Sequence, residues 1–389
     1  MSDETNSQQA AMGDNGPVQS KQNLLDVEVE YDQCVNYAVQ QNAVPVIKRV
    51  TLTNSTLFPH GNLLVRITSD PEFCDPWETR IASLEGNQKY RLDRVDINLS
   101  SSFLAGLRER TAGHIRIDVS SDGGLLSSVQ CPIELLAYDE WPGTRSIPEM
   151  LAAFVMPNHP AVEPILKDAA SVLKTWTQDS SLSGYQTGDP RRAWLTVAAV
   201  YTALRKLGIS YINPPASFET TGQKVRTPDR ILETRLGTCL DLSLLCASCI
   251  EAVGLNPILV IQNGHAYPGA WLKNETFSPA TIDELQPLRK RAELGEIVFF
   301  ESTSLTIDGV REFKQAMLDV APKLKMDEKF LVAIDIASAR KARILPLPLR
   351  VHGIEAAPEP EKESGDSTID TPPEIPEVVE EQGGTSNEV

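Results

Sequence analysis

The sequence predicts an α+β protein in which a small β-sandwich precedes a mixed layer of helices and strands. Three observations support this prediction. Short apolar segments separated by turn residues fill residues 24–138, helical periodicity follows Trp141, and apolar strand-like segments return from Pro257. Hydrophobic residues make up 41% of the 389 positions, so the chain can form a sizeable core.

The first folded unit is predicted over residues 23–140. Its segments are rich in Val, Ile and Leu, and several alternate apolar with polar side chains, as they do from Arg94 to Leu99. Turn-forming pairs such as Asn54-Ser55 separate the segments. Short strands at this spacing, each with one buried face, are typical of a β-sandwich. The predicted strands include residues 45–52, 63–68, 90–99, 114–119 and 129–136.

The second folded unit is predicted over residues 141–352. Ser146 followed by Pro148 and Glu149 has the pattern of a helix start. Because helices precede strands along this part of the chain, it is predicted to form an α+β layer. Helices are predicted over residues 161–175, 190–206, 228–236 and 237–253, and strands over 257–262, 269–273, 297–301 and near 327–335.

Both ends of the chain are predicted to be disordered. Residues 1–22 are polar and rich in Gln, Ser and Asn, so they offer too little apolar surface to offset the entropy of ordering. Residues 353–389 carry eleven acidic side chains against Lys362, together with five prolines. This composition indicates an extended, self-repelling tail, which also holds most of the formal charge of −17.

Several classes of protein are excluded by composition and motifs. The charge outside the tail is ordinary and forms no broad basic stripe, so direct nucleic-acid binding is not expected. No stretch is long and apolar enough for a membrane span, and no phosphate-loop or dinucleotide-binding glycine motif occurs. Residues 1–22 lack the apolar core of a signal peptide, and the six cysteines are scattered, so a cytoplasmic protein is expected.

The chemically informative segment spans residues 235–272. Cys239 follows Gly237-Thr238 and begins a predicted apolar helix. A cysteine at a helix N-terminus meets unpaired backbone N–H groups and the positive end of the helix dipole, and both stabilise the thiolate. Gly237 permits a sharp turn that would leave the sulfur accessible. We therefore predict that Cys239 is a nucleophile, and that the same N–H groups can receive an oxyanion.

A thiol nucleophile needs a base, and the base needs a group that orients it. His265 begins a predicted strand 26 residues after Cys239, and Glu301 ends another strand 36 residues further on. If the two strands are neighbours, Glu301 bonds one imidazole nitrogen while the other faces the sulfur. We predict a catalytic triad of Cys239, His265 and Glu301 that uses no cofactor and no metal. A helix start followed by two strands is the arrangement of the papain and transglutaminase folds.

Residues 191–303 resemble the transglutaminase-like superfamily through GTCLD, GHAYPGAWL and FFEST, the last standing where that superfamily usually has an Asp-Pro-Thr-like ending. Residues 31–350 also resemble the N-terminal region of large bacterial superfamily-one helicases that carry an endonuclease-like domain. This resemblance implies an immunoglobulin-like sandwich followed by a papain-like cysteine module. The matching segments are VTLTNST, DEWPG, LAAFVMPNHPAV, GYQTGDP, INPPASFETTGQKVRTPDRIL and GTCLDLSLL.

Two functions are consistent with this pattern. The first is cysteine-dependent acyl transfer or hydrolysis by a protease, isopeptidase or transglutaminase-like enzyme, within a bacterial DNA-processing or anti-phage defence system. The second is a non-catalytic protein-interaction scaffold of a helicase or nuclease complex. Under both hypotheses the substrate or partner is a protein. Either a helicase or nuclease on a separate chain is the partner, or the chain is a standalone relative of these proteins.

Individual residues of this segment have alternative interpretations. Cys239 can instead be a small buried core residue. Cys246 and Cys249 form a C-x-x-C that is either core packing, which we favour, or part of a zinc site with Cys239 and with His265 as the fourth ligand. Asp241 is favoured as a partner of the helix dipole over a catalytic role. Gln223 is favoured as a solvated loop residue over an oxyanion-hole donor.

Overall fold

The computed structural model describes residues 25–349 and 371–379. Within them the protein is α+β, which confirms the predicted class: strands dominate up to Trp141, and helices alternate with strands after it. The disorder predicted for residues 1–22 lies outside the described residues, as does most of the predicted tail over residues 353–389. No helix in the described part of the chain is long and apolar enough to cross a membrane.

The N-terminal part consists mainly of strands that pair in two sheets. Its elements are β1 (Asp26–Tyr31), β2 (Cys34–Val35), α1 (Tyr37–Gln41), β3 (Ile47–Thr53), β4 (His60–Asp70), β5 (Trp77–Leu84), β6 (Lys89–Leu92), α2 (Ser101–Gly106), β7 (Thr111–Ser121) and β8 (Gly124–Leu135). One sheet has the order β1-β3-β6 and the other β2-β8-β7-β4-β5. The β2–β8 pairing is parallel, and the other neighbours in these sheets are antiparallel.

Alternation along these strands decides which side chains are buried. On β7, Ile115, Ile117 and Val119 are fully buried, whereas the residues between them are exposed or partly exposed. Val50 of one sheet and Val65 of the other belong to the same core as these residues. One buried and one solvated face is the usual condition of antiparallel sheets.

One predicted strand is largely wrong. The alternating pattern over residues 90–99 predicts a strand, but β6 ends at Leu92. The N–H of Ile97 donates to the carbonyl of Val95 at 3.1 Å, which closes a tight turn, and the N–H of Asp75 donates to the carbonyl of Asn98 at 2.8 Å. The apolar side chains of this segment therefore reach the core through turns and not through a ladder.

The C-terminal part contains the remaining helices and strands. These are β9 (Glu140–Trp141), α3 (Val162–Thr177), α4 (Pro190–Arg205), β10 (Ser210–Tyr211), α5 (Phe218–Thr221), β11 (Gln223–Lys224), α6 (Pro228–Thr234), β12 (Leu236–Gly237), α7 (Cys239–Ala252), β13 (Pro257–Gln262), β14 (His265–Trp271), β15 (Thr281–Ile282), α8 (Leu285–Glu293), β16 (Ile297–Phe299), α9 (Phe313–Val320), β17 (Phe330–Asp335) and α10 (Ile336–Lys341). Short 3-10 helices cover Pro148–Phe154, Thr303–Leu305, Ile307–Gly309, Lys323–Lys325 and Asp327–Lys329.

The helix predicted to begin at Ser146 differs from the prediction in its type and in its N-cap residue. It forms as the 3-10 helix Pro148–Phe154, and its N-cap is Ile147, which makes no side-chain capping bond. Met150 and the four residues after it are all buried. Burial on every side of this short segment outweighs its local helix-start signal, as tertiary packing commonly does.

Helix α7 is the centre of the C-terminal part. A five-stranded antiparallel sheet of order β15-β17-β13-β14-β16 covers one side, and helices α3 and α4 cover the other. Leu244 and Ala247 share a core with the sheet, whereas Leu242 and Cys246 share a core with α3 and α4. A helix that is apolar on all sides is expected at such a buried position.

Candidate active site

The candidate site lies where the start of α7 meets the start of β14. The side-chain oxygen of Thr238 accepts a hydrogen bond from the N–H of Asp241 at 3.2 Å, and the Asp241 carboxylate accepts one from the N–H of Thr238 at 3.0 Å. This capping box explains why the helix starts where it does. Cys239 is therefore the first residue of the helix, among the N–H groups that lack a partner within it.

The carboxylate of Asp241 is fully engaged in holding this helix start. Its Oδ1 accepts the backbone N–H of Arg226 at 2.8 Å, and its Oδ2 accepts Nη1 of the same residue at 2.9 Å. Asp241 is 0% exposed. These contacts agree with the favoured interpretation of Asp241 as a residue of the helix N-terminus, and they leave it no free oxygen for catalysis.

The prediction that Gln223 is a solvated loop residue is wrong. Gln223 lies on β11 and is buried, because β11 pairs with β9 across from Trp141. Its Nε2 donates to Oγ1 of Thr238 at 3.1 Å, so the amide supports the cap of α7. Its Oε1 is buried without a hydrogen-bond partner. Gln223 thus contacts Thr238, the residue that precedes Cys239.

Burial dominates the environment of the Cys239 sulfur. The backbone N–H groups of Leu240 and Ala266 and the hydroxyl of Tyr211 donate toward it and favour its ionised form. Cys239 is nevertheless 0% exposed, and its removal from water outweighs these donors and raises the pKa of the thiol to about 11. The negative charge of Glu301 acts in the same direction as burial.

The prediction of an accessible, acidic thiol is therefore wrong for this state of the protein. Trp141, Phe218 and Leu259 belong to the apolar core that surrounds Cys239, so the helix N-terminus opens into packing and not into solvent. Gly237 also plays a different part from the one expected. A side chain there would press against Leu242 at 3.1 Å, so this glycine allows close packing and does not expose the sulfur.

The structure does bring His265 and Glu301 together. Nε2 of His265 lies 2.8 Å from Oε2 of Glu301. The residues meet because β14 and β16 are antiparallel neighbours, with Gly269 opposite Phe299. This confirms that the two strands are adjacent. Oε1 of Glu301 accepts the N–H and the hydroxyl of Thr303 at 3.0 and 2.8 Å, so both carboxylate oxygens have partners.

The neighbours of Glu301 keep its carboxylate ionised although the side chain is buried. Burial raises the pKa of this carboxyl, but the hydrogen bond and charge of His265 and the ammonium of Lys323 outweigh it and hold the pKa well below its usual value. Glu301 is only 4% exposed and remains ionised. A buried anion of this kind can orient an imidazole and stabilise its protonated form.

Lys323 is a component of the site that sequence reasoning missed. Its ammonium contacts Oε2 of Glu301 and lies 2.9 Å from Nε2 of His265. Lys323 begins a 3-10 helix in a polar stretch with several lysines, and no motif distinguishes it from Lys325 or Lys329. Only the folding of this stretch over the end of β14 reveals its position.

Two arrangements of the imidazole proton are compatible with these contacts. When Nε2 carries the proton it donates to Glu301, and Nδ1 is the free base. When Nδ1 carries the proton, Nε2 accepts from Lys323. Lys323 and Glu301 therefore select opposite tautomers of His265.

The third side chain of the predicted triad is close to this pair but not hydrogen-bonded to it. Within residues 25–349 and 371–379, no hydrogen bond joins Cys239 to His265. The link between them is the N–H of Ala266, the residue after His265, which donates toward the sulfur. The described residues therefore contain an oriented imidazole next to a buried, neutral thiol.

No arrangement for a metal ion is present in the described part of the chain. No group of three or more His, Cys, Asp or Glu side chains is placed to hold one there. Cys246 and Cys249 are fully buried in the core between α7 and the helices α3 and α4. Their surroundings agree with core packing, the favoured interpretation of the C-x-x-C pattern.

Comparison of this chain with known protein families, with curated proteins and with solved structures finds no match in any of the three.

The burial of Cys239 predicts the order in which the cysteines react. Near neutral pH we expect iodoacetamide to label Cys34 before Cys239, because Cys34 is partly exposed and the other five cysteines are buried. Burial raises the pKa of both thiols, and that of Cys239 to about 11, so labelling of Cys239 should rise steeply only as the pH approaches that value. Peptide mass spectrometry measures each site, with the urea-unfolded protein as the control. Early labelling of native Cys239 near neutral pH would contradict its burial.

Proposed function

We propose that this chain is a cysteine-dependent acyl-transfer or hydrolytic enzyme of the transglutaminase-like class. Cys239 is the nucleophile, His265 the general base and Glu301 the residue that orients the base. The observation that carries the proposal is the 2.8 Å hydrogen bond between His265 and Glu301. The residue after His265, Ala266, donates its backbone N–H toward the Cys239 sulfur, so this pair lies next to the thiol. An ordered set of nucleophile, base and orienting acid is the general signature of covalent acyl transfer.

The proposed reaction starts from a neutral thiol. Because the pKa of Cys239 is about 11, His265 acts as a base during the attack and not as the counter-ion of a preformed thiolate. With Nε2 donating to Glu301, Nδ1 takes the thiol proton while sulfur bonds to the acyl carbon. The imidazolium then passes this proton to the leaving amine as the carbon–nitrogen bond breaks. Water or a second amine attacks the resulting thioester, and Cys239 recovers its proton.

The donors around the sulfur support this chemistry. The N–H groups of Leu240 and Ala266 and the hydroxyl of Tyr211 donate toward the Cys239 sulfur, beside the position where we propose that the acyl carbon binds. Donors held there in a dry site stabilise an oxyanion more strongly than water does. Tyr211 is half-buried on the short strand β10 and its hydroxyl is at the sulfur. It is therefore the group that an entering substrate displaces in this proposal.

The substrate class and setting that we propose come from the resemblance of residues 31–350 to bacterial helicase and nuclease proteins. We propose a protein substrate or partner, in a cytoplasmic DNA-processing or defence system. The two N-terminal sheets are proposed to be an immunoglobulin-like sandwich, and residues 141–352 a papain-like module. The antiparallel sheet that carries His265, packed on the helix that carries Cys239, supports the second assignment.

Capture of the acyl-enzyme tests this function. The full chain mixed with p-nitrophenyl acetate should release a burst of nitrophenol and gain an acetyl group on Cys239, because the activated ester needs no special leaving-group contacts. Cys239→Ala should abolish both the burst and the adduct. Cys246→Ala, a buried cysteine of the same helix, is the matched control and should retain them. A burst that survives Cys239→Ala would refute the proposed nucleophile.

A second function, a non-catalytic interaction scaffold in a helicase or nuclease complex, is favoured by one specific observation. Cys239 is 0% exposed and its thiol is neutral, so this state presents no nucleophile to a partner. A test of the Cys239→Ala variant in cells distinguishes the enzyme from the scaffold. Cys239→Ala protein that folds but loses its cellular activity supports the enzyme. Full activity of the same variant supports the scaffold.

A further inference from the structure

An apolar groove lies among α4, β16 and α9. We define this groove by its lining residues, which come from these elements and from the segments next to them: Trp194, Leu272, Val298, Phe299, Met317 and Leu324. All six are apolar, and five of them are fully or almost fully buried. A contiguous apolar surface of this kind marks an interaction site when it is left open to water.

In this structure the groove is covered by residues 371–379 of the same chain. Pro376, Val378 and Val379 line the same cavity as the groove residues. Val379 is 2% exposed and belongs to the core that includes Trp194, and Ile375 packs against that core. The sequence predicts an extended tail here and does not predict this contact. The apolar residues that make it are few and lie within an acidic, proline-rich sequence.

The fit between the segment and the groove is specific. The N–H of Val379 donates to the carbonyl of Pro376 at 2.9 Å, which turns the segment so that Val379 enters the core. Gly295 provides room for Val378, since a side chain there would approach Cγ1 of Val378 to 2.8 Å. At the rim, Lys314 forms a salt bridge of 2.5 Å with Glu374. The shape of the groove therefore selects this sequence, and the exposed salt bridge adds little to its binding.

Residues 371–379 pack against the groove less tightly than a helix or strand of the core packs against its neighbours. A cavity of about 190 Å³ remains between it and the groove. The segment makes no strand pairing with the five-stranded sheet, and the salt bridge to Glu374 is exposed to solvent. Its attachment thus depends on a few apolar side chains, as in complexes of short peptides with grooves.

We propose that this groove is a peptide-binding site that recognises the pattern Ile-Pro-x-Val-Val, and that residues 371–379 occupy it reversibly as an intramolecular ligand. Covalent attachment gives such a ligand an effective concentration on the order of 1 mM, so a moderate affinity is enough to keep the groove filled. A separate peptide of the same sequence binds only when the chain's own segment is released.

Release of the segment from the full chain tests this proposal. Val379→Asp places a charge in the apolar core and should free the groove. A fluorescent peptide with the sequence of residues 371–382 is then titrated by polarisation. We expect it to bind the Val379→Asp protein at least about tenfold more tightly than the wild type, in which the tethered segment competes. Glu377→Ala, an exposed position of the same segment, should behave as the wild type.

Further variants keep the outcome decisive. Ile375→Asp is a second releasing variant and should also admit the peptide. Met317→Asp, added to the Val379→Asp chain, should abolish peptide binding because it changes the groove itself. Absence of binding to both releasing variants would overturn the proposal, as would equal binding to wild type and variants. A wild-type dimer that Val379→Asp dissociates would assign the groove to the segment of a second copy and overturn intramolecular occupancy.

Discussion

Replacement of His265 with alanine is expected to slow Cys239-dependent ester cleavage by roughly 10²–10⁴-fold, the usual contribution of a positioned general base. The effect should be this large because the pKa of the Cys239 thiol is about 11, so almost no thiolate forms near neutral pH without a base. The rate constant of the burst phase, which reports acylation, is measured with saturating ester and gives the ratio. The acetyl adduct on Cys239, followed by mass spectrometry, shows whether the first step is the one that slows.

His114→Ala is the matched control for this substitution. His114 is exposed on β7 and far along the chain from the site, so its loss should leave the rate unchanged. Added imidazole should restore part of the rate of His265→Ala, because a small base can fill the space that the side chain leaves. A His265→Ala protein with the wild-type rate would show that another group deprotonates the thiol, and it would contradict the proposed mechanism.

Asp241→Ala is expected to lower the free energy of unfolding by about 3 kcal/mol, since it removes a buried charged partner and a helix cap together. The estimate lies at the low end for a broken buried pair, because the side chain of Arg226 is 34% exposed and can turn toward water. Urea denaturation followed by circular dichroism measures the change. The same substitution should loosen the start of α7 and so make Cys239 react faster with iodoacetamide.

Two further variants identify the source of this loss. Asp241→Asn keeps an oxygen that can accept the N–H of Thr238 and should lose less stability than Asp241→Ala. Asp283→Ala removes an exposed carboxylate and should change stability by no more than about 0.5 kcal/mol. Equal stability of Asp241→Ala and Asp283→Ala would mean that the buried network contributes nothing to the fold.

The fold was predictable where local patterns are strong. The apolar run of β13 and the helix of α4, with proline at its start, are found close to their predicted bounds because pattern and burial agree. β5 is not among the predicted strands, since only Ile81 and Leu84 of its eight residues are buried. Its pairing with the long strand β4 determines its structure, and no local pattern encodes that pairing.

The candidate site was predictable where the order of strands along the sequence predicts which strands pair in the sheet. Successive apolar strands pair, which brings His265 to Glu301, and Thr238 marks the start of the helix that carries Cys239. The burial of the sulfur was not predictable. It depends on the apolar core around the start of α7, to which residues distant in sequence such as Trp141 and Phe218 also belong. Desolvation is a sum over such distant contacts, so a helix-start motif alone gives the wrong sign for the change in pKa.

Lys323 has a consequence for the electrical state of the pocket. Its ammonium and the carboxylate of Glu301 balance each other, so with a neutral imidazole the three side chains together bear no surplus charge. A proton that the Cys239 thiol passes to His265 would therefore give the three side chains one net positive charge, next to the carboxylate of Glu301. In the proposed mechanism the ring passes that proton to the leaving amine, and the pocket returns to neutrality.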